Sequence, residues 1–317
     1  MANSLTQCLP GGRPLNPPRV VVVGSVAMDD IVTPTACRSN QLGGSASYAC
    51  VAASFFTSVG MVGIVGSDFP APFVQRFRRA GVDLRGLQVV PGKTFRWSGV
   101  YEKNMDIRRT LKTELNVFAD FQPALPEAYI HAPFILLANI SPRLQLHVLD
   151  QIRNPRFVAA DTMNLWIQTE AHHLRRVLAR IDLLTLNESE AREWTGYESL
   201  SRAARRLLAM GPRWILIKRG EQGSRLFSTQ GLALMPAYPL ESVKDPTGAG
   251  DLFAGGLVGR LAQGNRIDEA AIRRAMQAGS VVASLGVEQF GLERLWSVKR
   301  MGVDARIRDF RRMVGWR

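Results

Sequence analysis

The feature that most constrains this chain is a rhythm. Short apolar runs, mostly β-branched and aliphatic, recur at residues 19–25 (RVVVVGS), 134–137, 156–160, 183–186 and 214–218. Helix-length amphipathic segments lie between them, at 142–153, 170–180, 188–195 and 201–210. A run apolar at nearly every position suits a strand buried on both faces, and such strands belong to parallel sheets. Their alternation with helices predicts βαβ units, right-handed crossovers and helices on both faces of one α/β sheet. Residues 42–67 carry no charge, a length that would suit a membrane span. Their Gly, Ala and Ser content, with Gly60 and Gly63 as interruptions, predicts instead a buried helix over 45–58 and a buried strand over 61–65.

One stretch breaks the rhythm. Residues 94–117 (TFRWSGVYEKNMDIRRTLKTELNV) alternate without a helical period and read as a strand pair joined near Asn104, Met105 and Asp106. A β-rich excursion of this kind, about 94–118, is a candidate lid or dimerisation flap. The Pro- and Gly-rich start reads as a disordered tail over 1–18 and lacks the basic-then-apolar pattern of a signal peptide. One domain over 19–296 would follow, then a basic helical tail over 297–317 with Lys299, Arg300, Arg306, Arg308, Arg311, Arg312 and Arg317.

The chain has 40 Lys and Arg against 27 Asp and Glu, a formal charge of +13. Such a balance suits nucleic acid, a membrane surface or anionic ligands. The arginines, however, are scattered as pairs, such as Arg78–Arg79, Arg108–Arg109 and Arg175–Arg176, and most pairs fall on outer faces of expected helices. Attraction of an anionic substrate is the simpler use of that charge. Cys8, Cys37 and Cys50 are odd in number and well separated, which argues against a disulfide framework or zinc site and for a reducing, cytoplasmic setting.

Five segments carry chemistry. In 244–256 (KDPTGAGDLFAGG) a Gly-x-Gly turn opens an apolar helix, so the first-turn amides of Ala249, Gly250 and Asp251 can face an anion with the helix dipole behind them. Asp251 can accept a proton there, and the dipole favours its ionised form. By the residues alone, a Gly-rich turn with Asp251 as a capping carboxylate serves equally well. Gly43 and Gly44 precede a helix, either for close ligand approach or as helix punctuation. Asp29 and Asp30 follow the first strand, where sugar hydroxyls can bind, or where acids are simply solvated. Asn187 and Glu190 sit three apart after a strand, as oxygen ligands for Mg²⁺ or as an N-cap and its capping-box partner; the two uses are compatible. Lys218, Gly220 and Gly223 can line a nucleotide's phosphates or form a hairpin turn.

The twelve residues DPTGAGDLFAGG (245–256) look like the C-terminal signature of the ribokinase-like, PfkB-type carbohydrate kinases. The resemblance runs from about residue 20 to 291, with all five segments in the family's order. It implies a ribokinase-like α/β fold with a small β lid, and ATP with Mg²⁺ as cofactors. Asp251 would be the catalytic base, and Gly248, Ala249 and Gly250 the anion hole. Asp29, Gly43 and Gly44 would bind the acceptor, although many members carry Asn where this chain has Tyr48. Lys218, Gly220, Gly223 and Thr247 would line the nucleotide, and Asn187 and Glu190 would organise Mg²⁺, through water. Asp245 and Thr247 would lie near a monovalent cation, and 281–291 near the adenine. Residues 161–166 resemble the family's D-x-N-x-x-x-x-L-W segment with altered spacing and no arginine. The loop is no Walker A, so its phosphate cradle lacks the usual lysine. The expected activity is phosphorylation of an alcohol on a sugar, with a nucleoside as the alternative acceptor and a homodimer formed through the lid. A binding protein that has lost the chemistry, and a nucleic-acid binder, are the rival readings.

Overall fold

The computed structural model describes residues 17–103, 105 and 108–315. Most of the expected tail, with Cys8, and the lid-turn residues Asn104 and Asp106 lie outside the described residues, as does Arg317.

The chain runs β1 (Val20–Val23), β2 (Ala27–Thr33), β3 (Ala36–Gly43), α1 (Ser45–Ser54), β4 (Val59–Gly66), α2 (Ala71–Arg79), β5 (Val82–Val90), β6 (Phe95–Tyr101) and β7 (Arg108–Glu114). It continues through α3 (Glu127–Ile130), β8 (Phe134–Leu137), α4 (Pro142–Gln151), β9 (Phe157–Asp161), α5 (Asn164–Thr169), α6 (Ala171–Leu178), β10 (Leu183–Asn187), α7 (Glu188–Thr195), α8 (Leu200–Leu208) and β11 (Trp214–Lys218). It ends with β12 (Ser224–Ser228), β13 (Gly231–Met235), α9 (Ala249–Ala262), α10 (Glu269–Gly286), α11 (Glu293–Ser297) and α12 (Arg300–Met313).

The large sheet has the order β13-β12-β11-β10-β9-β8-β1-β4-β5, parallel from β5 to β11 with two antiparallel strands at the far edge. Its strands are apolar on both faces because both faces are covered. Val20 and Val22 of β1 belong to one core cluster, and Val21 and Val23 to the other. No helix among the described residues is long and apolar enough to cross a membrane.

The small sheet is wider than the sequence suggests. β6 and β7 pair as expected, but the order is β3-β2-β6-β7, so residues 27–43 supply half of it. Those strands escaped notice because one face is solvated, and Asp30, Arg38, Ser39 and Asn40 make them read as loop. The inner face, with Ala27, Asp29, Ile31 and Thr33, is buried.

Two helices meet without side chains between them. A Cβ on Gly255 of α9 would stand 2.2 Å from the Ala49 carbonyl oxygen of α1, and one on Gly259 would stand 2.7 Å from Ala53 Cα. Four glycines would weaken an isolated helix; close packing and burial of α9 from Leu252 to Gly259 offset that cost. The basic tail docks: Val303, Ile307 and Phe310 of α12 are buried, Phe310 packs against Tyr238, and Arg306 pairs with Glu288.

Candidate active site

Open α/β sheets bind ligands beyond the carboxyl ends of their strands, and the charged residues of this chain converge there. Three adjacent strands end in polar side chains: β9 in Asp161, β10 in Asn187 and β11 in Lys218. The Lys218 ammonium lies 2.9 and 3.2 Å from the two Asp161 carboxylate oxygens. It also sits 3.0 Å from where a Cβ on Gly250 would be, so the absence of a side chain at 250 brings a lysine onto the Gly-rich loop. The Gly-rich loop has no lysine of its own, and the one beside it comes from the end of β11.

Gly248 caps α9 in the left-handed region (φ 73°), which favours glycine. The Ala249 amide is not open as expected. It donates to the Pro246 carbonyl at 3.1 Å and closes the turn. The Gly250 amide has no hydrogen bond among the described residues and remains for an anion. Asp251 lies in the first turn of α9, yet the dipole does not keep it a strong acid. Burial, then the charge of Asp161, push it up to about 7, against the pull of Lys218 and Arg108. Asn187 and Glu190 form the complete capping box of α7. Asn187 Oδ1 accepts from the Glu190 amide at 2.8 Å, and Glu190 Oε2 accepts from the Asn187 amide at 2.7 Å. Burial raises Glu190 to about 7, with Lys218 opposing. Gly220 and Gly223 take positive φ in the turn joining β11 to antiparallel β12, and a Cβ on Gly223 would strike the Met235 carbonyl at 2.0 Å.

The second half of the site hangs from the small sheet. Asp29 is opposite Trp97 in the parallel β2–β6 pairing, so both face inward. The Asp29 carboxylate rests on Gly43, where a Cβ would come within 2.0 Å of it. Burial, then Asp245 and Asp30, raise Asp29 to about 8, while Arg108 acts the other way. Gly44 (φ 91°) turns the chain into α1 beside the Ser25 carbonyl. The Thr247 hydroxyl donates to the Tyr101 hydroxyl at the end of β6, at 3.1 Å. Asp245 accepts from the amides of Thr247 and Gly291, both at 2.9 Å, and so holds the loop.

The family model for the pfkB family carbohydrate kinases matches residues 18–296. This chain belongs to that family. The pfkB kinase is 30% identical over 257 residues to a cytidine kinase from Thermococcus kodakarensis, covering 79% of this chain and 91% of the relative. Its fold is similar to that of a Burkholderia thailandensis nucleoside kinase in complex with inosine (TM-score 0.75, 21% identity, 94% and 99% of the two chains). It is also similar to an Arabidopsis thaliana ribokinase complexed with ribose and ATP (TM-score 0.73, 21% identity, 92% and 98%).

Several groups of this pfkB kinase were not visible as site residues in its sequence. Arg108, at the start of β7, read as one of many paired surface arginines; its charge acts on Asp29, Glu190 and Asp251 together. Its guanidinium lies over the Trp97 ring, 5.3 Å from the centroid. Asp161 carried a signal, an acid closing an apolar strand, but its partnership with Lys218 spans 57 residues. Phe95 of β6 stacks on Phe118, with ring centroids 5.2 Å apart.

Proposed function

We propose that this kinase transfers the γ-phosphoryl group of ATP to a hydroxyl of a nucleoside, with Asp251 as general base. The observation that carries the reading is the convergence at the start of α9: an open Gly250 amide, the Lys218 ammonium over it and the Asp251 carboxylate one residue on. These are the parts phosphoryl transfer needs, since its catalysis is mostly positioning and charge stabilisation.

The acceptor lies against Asp29 and the backbone of Gly43 and Gly44, with the flat face of Trp97 in the same row of the lid. Its reacting hydroxyl gives its proton to Asp251. A carboxylate poised near 7 is both partly ionised at neutral pH and basic enough to take that proton. Lys218, the Gly250 amide and the α9 dipole oppose the charge that grows on the transferred group. Arg108 enters from the lid, and closure of the small sheet excludes water. Mg²⁺ bound with the nucleotide supplies further charge neutralisation. Asn187 Oδ1 and Glu190 Oε2 are committed to the capping box, so the pair fits an ion held through its waters rather than by direct ligation. Gly220, Gly223 and Thr247 frame the nucleotide side, and a monovalent cation beside Asp245 would stiffen its loop. The working form is a cytoplasmic homodimer paired through the lid, where Leu111 on β7 is exposed.

A nucleoside takes precedence over the free sugar favoured by sequence alone because the cytidine kinase relative is matched over most of both chains. The test is ADP release with Mg·ATP across cytidine, inosine, adenosine, ribose and fructose, run beside Asp251→Asn. Release that depends on a nucleoside and vanishes in the variant is the expected result. Release with free sugars alone would overturn the acceptor, and a fully active variant would overturn the base.

A further inference from the structure

Arg108 acts on three carboxylates of the site, yet it stands at the end of a hairpin strand and is exposed. A long side chain there samples many rotamers, and ordering it costs free energy. Other cations of the lid are held by acids, Arg96 by Asp30 and Lys112 by Glu114. Arg108 has no ion-pair partner among the described residues. What holds it is aromatic.

Two side chains of β6 meet it. In the β6–β7 register Tyr101 is directly opposite Arg108, and Trp97, Gly99 and Tyr101 alternate onto one face of the strand. The Trp97 ring lies across Gly99, where a Cβ would come within 2.2 Å of it, and its indole N–H donates to the Thr110 hydroxyl at 3.2 Å. That fixes the ring on which the Arg108 guanidinium rests. Arg108 acts on the Tyr101 hydroxyl as well.

Tyr101 also reaches beyond the lid. It is 6% exposed, and its hydroxyl accepts from the Thr247 hydroxyl, a contact that spans 146 residues of sequence. Thr247 is held at its other end, where its amide donates to Asp245, and it directly precedes the Gly248 cap of α9. The Tyr101 hydroxyl is therefore the point at which the hairpin and the Gly-rich loop join.

We propose that Tyr101 is a positioning residue for phosphoryl transfer: its hydroxyl ties Arg108 to Thr247, and so sets the guanidinium against the start of α9, where it meets the transferred group. This rests on the kinase reading given above. Tyr101 takes no part in the chemistry itself; it acts through Arg108.

The test is a double-mutant cycle. Tyr101→Phe keeps the ring and removes the hydroxyl, and Thr247→Val removes the other half of the tie. Each is made in the wild type and in an Arg108→Met background, and kcat and both KM values are measured with Mg·ATP and the best acceptor of the panel. Expected in the wild type is a fall of about tenfold in kcat for either variant, the equivalent of one lost hydrogen bond. Both KM values change far less, and the two substitutions together cost no more than one. In the Arg108→Met background, where kcat is already low, each costs less than about twofold. An equal loss in both backgrounds means that the hydroxyl acts on something other than Arg108; it overturns the assignment and leaves the kinase reading standing. So does a Tyr101→Phe enzyme with the wild-type kcat. Should Tyr101→Phe fail to fold, Thr247→Val in the two backgrounds decides the question by the same criterion. A wild-type enzyme that phosphorylates no acceptor in the panel overturns the kinase reading, and this assignment with it.

Discussion

The two halves of the site solve the problem of buried polarity in opposite ways. At the ends of β9, β10 and β11 the buried groups hold one another: Lys218 is held by Asp161, and Asn187 and Glu190 bind each other's amides. At the small sheet the Asp29 carboxylate and the Tyr48 hydroxyl are buried with no hydrogen-bond partner among the described residues. The first half makes its own contacts, whereas the second leaves polar atoms unmet. Preorganisation suits the end where charge must be stabilised in the transition state. Unmet groups suit the end that must discriminate, because a ligand that fails to satisfy them leaves their cost in place.

The largest expected effect tests the assembled half. Asp251→Asn should fold normally and lower kcat by about 10²–10⁴-fold, the range for loss of a general base; single-turnover kinetics would show whether chemistry or binding was lost. Next is Lys218→Met, which strands Asp161 as a buried charge. Loss of about 3–5 kcal/mol in urea unfolding is expected. The double variant with Asp161→Asn should recover much of it, and a stable single variant would mean the pair is not truly desolvated.

The acceptor half should answer with the opposite sign. The Asp29 pKa is about 8 in the folded protein against 3.8 in an ordinary aspartate. The folded state therefore binds the extra proton between those values, and its stability falls as pH rises through that window. Asp29→Asn removes the penalty, so the ligand-free protein should melt higher at pH 8, by at least about 2 °C, with little change near pH 4, while acceptor affinity drops. If the variant melts lower at pH 8, Asp29 has a partner in solution. The smallest effect is in the wild-type pH profile. Burial holds Asp251 near 7, so kcat/KM should climb between about pH 6 and 8 and then level off, and Asp251→Asn should abolish that limb.

Much of this was legible in the sequence because it is local. The limits of β8, β11 and α7 match the apolar runs and the capping-box letters, and the Gly-rich turn before Asp251 announces a helix start. What escaped is non-local or two-faced. β2 and β3 present one wet face and so lacked the continuous apolar signature. The Lys218–Asp161 pair joins strands separated by β10. Tyr48 is spelled like any core aromatic, and its vacant hydroxyl exists only once Asp29 and Gly248 surround it. Arg108 likewise gains meaning from the lid that aims it.

The contact of α1 with α9 has a mechanical consequence. One helix begins at the Gly44 turn and carries Tyr48; the other begins after Gly248 and carries Asp251. Backbone meets backbone at Ala49 with Gly255 and at Ala53 with Gly259, leaving no flexible side chain to compress between them. The seam acts as a fixed jaw: the span from the Gly44 turn to the Asp251 carboxylate is machined into the main chain. Even an added methyl group at 255 or 259 would act as a shim against α1, about one and two turns of helix beyond Asp251.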